Sequence, residues 1–166
     1  MGIFSNDIES LAIEVLEKCR QKKWRIATAE SCTGGLIGGA LTDISGSSDV
    51  FDRGFITYTN IAKNRMIGVK TETLRIFGAV SEEVACEMAL GALDKANVDI
   101  SVAVTGIAGP GGGSADKPVG RVHLAVATKG GITENRKMDY GAPGRSDVRL
   151  ATMKTALEML LTTLSR

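Results

Sequence analysis

The chain has 166 residues, enough for one domain with a single core. Twenty basic and nineteen acidic side chains leave a formal charge of +1, and only 4% of residues are aromatic; there is no electrostatic or stacking case for a nucleic-acid partner, and no charge case for an anionic membrane. One histidine, His123, and three widely spaced cysteines, Cys19, Cys32 and Cys86, argue against Ser–His machinery, His-rich metal sites and a disulfide framework, and for reduced thiols in a cytoplasm.

The N-terminus lacks a basic segment followed by a long apolar run, so no signal peptide is expected. No stretch approaches the roughly 20 apolar residues of a membrane span. Ile8, Leu11, Ala12, Val15, Leu16 and Cys19 recur at helical spacing, with Asn6 or Asp7 as N-cap. Residues 24–29 read as a strand, and a second helix opens at Gly34 and runs to Leu41. A strand at 54–58 and short helices at 60–66 and 71–77 follow, the last stopping at Gly78. Ser81 with Glu82 and Glu83 predicts a capped helix to about Ala96. A β-branched strand covers 99–104, and a long glycine-rich loop covers 106–120. Residues 121–128 and 132–140 form a hairpin around Lys129-Gly130-Gly131, and a helix over 147–164 closes the chain.

That order predicts a three-layer α/β/α domain with a mixed, mostly parallel five-stranded sheet. Ser31, Lys63 and Thr105 each lie shortly after one of the first three strands. If those strands are parallel, the three residues share the sheet edge where open α/β folds bind ligands.

Two runs stand out: Thr28-Ala29-Glu30-Ser31-Cys32-Thr33-Gly34-Gly35, and residues 105–114 from Thr105-Gly106 to Gly113-Ser114. Each packs hydroxyls among glycines after an apolar stretch. On spacing alone Ser31 reads more readily as a helix cap than as a nucleophile. Cys32 is its rival, although adjacent strand residues point to opposite sides, which would turn the thiol into the core. Gly34 and Gly35 suit either close helix packing or a helix N-terminus that holds an anion. Residues 109–114 are no Walker loop, because Lys117 precedes Pro118. Taken singly, Lys63 reads as a solvated helix lysine and Tyr58 as a strand residue. Glu30, Asp43, Asp49 and Asp52 show no metal-ligand spacing, so neither a metal nor a cofactor is expected.

Taken together, four motifs resemble the CinA C-terminal domain family. They are residues 28–35, Gly54-Phe55-Ile56-Thr57-Tyr58-Thr59-Asn60 with Lys63, Gly78-Ala79-Val80-Ser81, and Thr105-Gly106-Ile107-Ala108-Gly109-Pro110 with Lys117-Pro118-Val119-Gly120. The resemblance runs from about Ile8 to Leu164, and implies a single domain of that family over 1–166. The N-terminal, molybdopterin-binding-like domain that many members carry is not expected here. Members include bacterial nicotinamide mononucleotide deamidases of pyridine nucleotide recycling; others are described only as competence- or damage-inducible.

The resemblance implies that Ser31 is the nucleophile and Lys63 its general base, with Tyr58 and Thr105 in support. It implies substrate contacts at Thr33, Gly34, Gly35, Asn60, Gly106, Gly109 and Arg145, the last to a phosphate. The partner implied is a small molecule, nicotinamide mononucleotide; a homo-oligomer stays open. The alternative is a non-catalytic module that binds a pyridine nucleotide or a protein. A serine–lysine pair suits amide hydrolysis without histidine, provided that the lysine is neutral. Tyr58 competes for the role of base.

Overall fold

The computed structural model describes residues 2–166. Among them, α1 (Asn6–Lys22) leads to β1 (Ile26–Glu30), α2 (Leu36–Thr42) and β2 (Phe51–Ile56), with a 3-10 turn at Ser47–Asp49. Next come α3 (Asn60–Ile67), α4 (Thr71–Phe77), α5 (Glu82–Ala96) and β3 (Ile100–Gly106). The hairpin strands β4 (Arg121–Thr128) and β5 (Gly131–Asp139) precede α6 (Arg145–Leu164).

The sheet order is β2-β1-β3-β4-β5. β1 runs parallel to β2 and β3, while β4 is antiparallel to both β3 and β5, so four of the five strands share one direction. This is the three-layer, mixed α/β architecture that the element order predicts.

Side-chain alternation sorts the layers. Ile26, Ile100, Val102, Val104 and Leu124 face a core with Val15 and Leu16 of α1 and Leu157 and Leu160 of α6. Each such side chain, fully buried, contributes about 1.5–3 kcal/mol. The opposite face carries Ala29, Ala103, Ala125 and Ala127 beneath Ala85, Met88, Ala89 and Ala92 of α5. Small residues there let α5 lie close to the sheet. Ser101 Oγ, buried on that face, donates to Ala89 O at 2.6 Å. α5 also meets the end of α3 backbone to backbone: a Cβ at Gly91 would stand 1.8 Å from Ile67 O. Glycine at 91 therefore sets how deep α3 sits.

Several boundaries differ from the sequence reading, each for a local reason. β2 starts three residues early, at Phe51 rather than Gly54. Its polar Asp52 and Arg53 hide the strand pattern, yet β2 is an edge strand and tolerates them; Asp52 accepts from Arg25 Nη2 at 3.0 Å. β3 continues through Thr105 and Gly106 because they pair with His123 and Val122 of β4. α2 starts at Leu36, since Gly34 and Gly35 hold φ of +58° and +104°, outside the helical region. α1 is entered from Ser5, whose hydroxyl donates to Asp7 and caps no main-chain amide. Among the described residues no helix is long and apolar enough to cross a membrane.

Ser31 follows β1, Tyr58 follows β2, and Thr105 and Gly106 end β3. The parallel strands thus deliver all three connections to one C-terminal edge. β1 hands the chain to β2 on one side through α2, and β3 returns on its other side through α3, α4 and α5. That reversal opens a crevice beside β1.

Candidate active site

α3 begins where Thr59 Oγ1 accepts from Ala62 N at 3.1 Å, and it ends at Gly68 with φ +72°. Between these caps Lys63 turns inward and is 1% exposed. Its Nζ donates to Ser31 Oγ at 2.9 Å and to Thr57 O at 2.8 Å. Among the described residues no carboxylate pairs with it. Burial lowers its pKa from 10.5 to about 8. A neutral amine keeps two N–H groups and a lone pair, so it can meet the Ser31 hydroxyl as donor or as acceptor.

Ser31, 8% exposed, sits in a turn held at both ends. Its N–H donates to Val104 O, and its carbonyl accepts from Gly34 N, both at 3.1 Å. Cys32 is buried, and burial pushes its thiol up to about 11, so the sulfur stays protonated and weakly nucleophilic near neutrality. Cys32 is buried in the core cluster with residues of α1 and α6, as alternation along the strand predicts, although the residue also reaches the cavity wall beside Ser31. Protonation state and the bond from Lys63 separate the two further.

The cavity beside Ser31 and Lys63 measures about 270 Å³. Tyr58, Asn60, Thr105, Gly106, Gly109 and Arg145 are among the residues that line it. Arg145 Nη1 donates to Gly109 O and Nη2 to Tyr58 OH, both at 2.9 Å. Thr105 Oγ1 donates to Ala79 O at 2.8 Å and so ties down the segment that supplies Ala79 and Val80 to the wall. Gly109 has φ +82°, and a Cβ there would lie 2.6 Å from Val119 Cγ1, so the glycine-rich loop needs glycine at that point. A larger hollow of about 420 Å³, with Ile61, Arg65, Leu74 and Arg75 in its wall, contains neither Ser31 nor Lys63.

Thr33, Gly34 and Gly35 are not brought to the cavity. Thr33 Oγ1 donates to Glu30 Oε1 at 2.7 Å. The Gly34 N–H is already given to Ser31 O. The amides at the start of α2 are also occupied: Ile37 N and Gly38 N donate to Glu30 Oε1 and Oε2 at 2.9 and 3.0 Å. The expectation of an anion on this helix N-terminus is therefore met by an internal carboxylate, 1% exposed, rather than left free for a ligand. Among the described residues no group of three His, Cys, Asp or Glu converges on a metal-sized site. His123 is half-buried on β4 and pairs across the sheet with Thr105; burial, with Arg121 next, lowers its pKa.

The CinA C-terminal domain model matches residues 8–164. The chain belongs to the CinA C-terminal domain family. It is 48% identical over 154 residues to the nicotinamide-nucleotide amidohydrolase PncC of Enterobacter agglomerans, spanning 93% of each chain. It is 50% identical over 153 residues to a CinA-like protein of Syntrophobacter fumaroxidans, covering 92% of this chain but 35% of that longer one. The crystal structure of the competence/damage inducible protein CihA from Agrobacterium tumefaciens superposes with a TM-score of 0.96 at 56% identity, covering 100% of both chains.

Two residues of this CinA domain escape the sequence reading. Glu30 lies inside the first motif but reads only as a carboxylate without a metal. Arg149 Nε donates to Cys32 O at 3.0 Å and Nη2 to Thr33 O at 3.2 Å. The available signal was its position four residues after Arg145, on the same helical face.

The buried amine makes a prediction about the CinA fold that is independent of activity. Its native pKa lies below its unfolded value, so the unfolded chain binds more protons between about pH 8 and 10.5. The destabilisation from burying the ammonium is full below pH 8 and is relieved as pH rises to 10.5. At about 1.4 kcal/mol per pKa unit, it amounts to roughly 3 kcal/mol at most. Lys63→Met should melt above the wild type at pH 7, with the margin shrinking toward pH 10. Thermal denaturation of both proteins across that range checks this, and a margin constant with pH would contradict a low native pKa.

Proposed function

We propose that this chain hydrolyses the carboxamide of nicotinamide mononucleotide to nicotinic acid mononucleotide and ammonia, serving pyridine nucleotide recycling. The observation that carries the reading is the buried Lys63 amine, without a carboxylate partner among the described residues, 2.9 Å from Ser31 Oγ beside a cavity of about 270 Å³. The name of the Enterobacter agglomerans relative supports the same substrate class.

In this reading neutral Lys63 accepts the Ser31 hydroxyl proton as Oγ attacks the carboxamide carbon. The carbonyl electron pair moves onto its oxygen. Cys32, the next residue and part of the cavity wall, offers its main-chain N–H to that oxyanion. Collapse breaks the C–N bond; Lys63 returns its proton to the leaving nitrogen, and ammonia departs. Water then attacks the Ser31 ester, again giving its proton to Lys63, and the acid leaves as Ser31 regains its hydrogen. Thr57 O keeps one N–H of the amine engaged throughout and so aims the lone pair. Arg145, oriented by Tyr58 and Gly109 O, has further N–H groups for the 5′-phosphate. Asn60 and Gly106 complete the wall, and Thr105 steadies it from behind through Ala79.

The test is ammonia release from nicotinamide mononucleotide, followed beside nicotinamide riboside, which lacks the phosphate. The nucleotide should be hydrolysed with far higher kcat/KM, and Arg145→Ala should chiefly raise KM. Equal kcat/KM for the two substrates would remove the phosphate site. Tight binding of the nucleotide with no ammonia would favour a non-catalytic binding module instead.

A further inference from the structure

The turn that carries Ser31 is gripped from two sides. On one side Glu30 accepts from Thr33 Oγ1 and from the Ile37 and Gly38 amides. On the other, Arg149 donates to the carbonyls of Cys32 and Thr33, which belong to the two peptide planes between Cys32 and Gly34. A trans peptide is planar, so holding its carbonyl also fixes the direction of the N–H across the same bond. Arg149 thereby orients the Thr33 and Gly34 amides, and Gly34 N closes the turn onto Ser31 O. Arg149 does not border the cavity, whereas Arg145, one helical turn earlier, does. The two arginines of α6 therefore divide the work: one reaches the cavity, the other reaches the backbone that presents the nucleophile.

We propose that Arg149 is a positioning residue for the reaction, holding the Ser31 turn so that Oγ stays within hydrogen-bond reach of Lys63 Nζ. This rests on the Ser31–Lys63 reading above. The guanidinium suits the task because its fork spans two consecutive carbonyls, which a lysine ammonium cannot do with the same geometry. A displacement of about 1 Å at a nucleophile costs on the order of a hundredfold in rate.

The experiment measures kcat and KM for nicotinamide mononucleotide in the wild type, Ser31→Ala and Arg149→Ala, with melting temperatures for each. Arg149→Ala should lose about a hundredfold in kcat, with KM within about threefold of the wild type. Millimolar guanidinium ion should restore part of that kcat by occupying the vacated place, and should do nothing for Ser31→Ala. If Arg149→Ala does not fold, Arg149→Gln, which keeps much of the stem and an N–H donor group, serves in the same comparison. An unchanged kcat overturns the inference. So does a raised KM at constant kcat, which would make Arg149 a substrate contact. A loss that tracks the unfolded fraction and resists guanidinium rescue also overturns it, leaving a purely structural role. An inactive wild type, or an active Ser31→Ala, instead overturns the Ser31–Lys63 reading itself.

Discussion

Ser31→Ala should lower kcat by about a thousandfold or more, while Cys32→Ala keeps most of the activity. The two residues are neighbours in sequence and both border the cavity, yet burial and chemistry separate them. Ser31 Oγ has the Lys63 amine at 2.9 Å. The Cys32 thiol is held up at about 11 by burial and belongs to the core cluster under α6. A thiol that stays protonated forfeits the advantage that sulfur holds over oxygen. Steady-state ammonia release from both variants, with folding checked by circular dichroism, is the measurement. A dead Cys32→Ala beside an active Ser31→Ala would move the nucleophile to sulfur.

Lys63→Arg should be nearly as inactive as Lys63→Ala. Guanidinium remains protonated at any working pH and cannot accept the Ser31 proton, whatever its size or reach. In the wild type, kcat/KM should rise with pH through an apparent pKa near 8, well below that of a free lysine, because burial disfavours the ammonium. Below that value the amine is charged and its lone pair is absent. The comparison that discriminates is Tyr58→Phe. Tyr58 is largely exposed and its hydroxyl is the acceptor of Arg145 Nη2, so its loss should loosen the arginine and weaken binding more than chemistry. Substantial turnover in Lys63→Arg with none in Tyr58→Phe would transfer the base role to the tyrosine.

The layers of this protein were legible from periodicity because its core obeys alternation: aliphatics face α1 and α6, and alanines face α5. The environment of Lys63 was not. α3 inverts the usual rule, leaving Ile61 64% exposed while Lys63 is 1% exposed. No local pattern announces a lysine that points inward on an eight-residue helix; its place shortly after the second strand put it at the ligand-binding edge, and the family motif gave it a role. Glu30 and Arg149 were hidden for different reasons. Glu30 occupies a position where a strand ends, and its partners Ile37 and Gly38 look like ordinary apolar and small residues of a helix. Arg149 acts on carbonyls 117 and 116 positions away, through main-chain atoms that every residue possesses, so residue types carry no trace of the contact. The glycines after Ser31 show the converse. Their pattern suits an anion site, and the site exists, but the chain fills it with its own carboxylate.

The depth of Lys63 sets stability and turnover against each other at one position. A population evolved in the laboratory for heat resistance at neutral pH gains by exchanging that amine for an apolar side chain of similar length, since the desolvation cost disappears. In the Ser31–Lys63 reading, the same exchange removes the group that takes the Ser31 proton. Heat-resistance libraries of this domain should therefore enrich inert members at position 63, and thermostability alone is the wrong sieve for finding better catalysts on this scaffold.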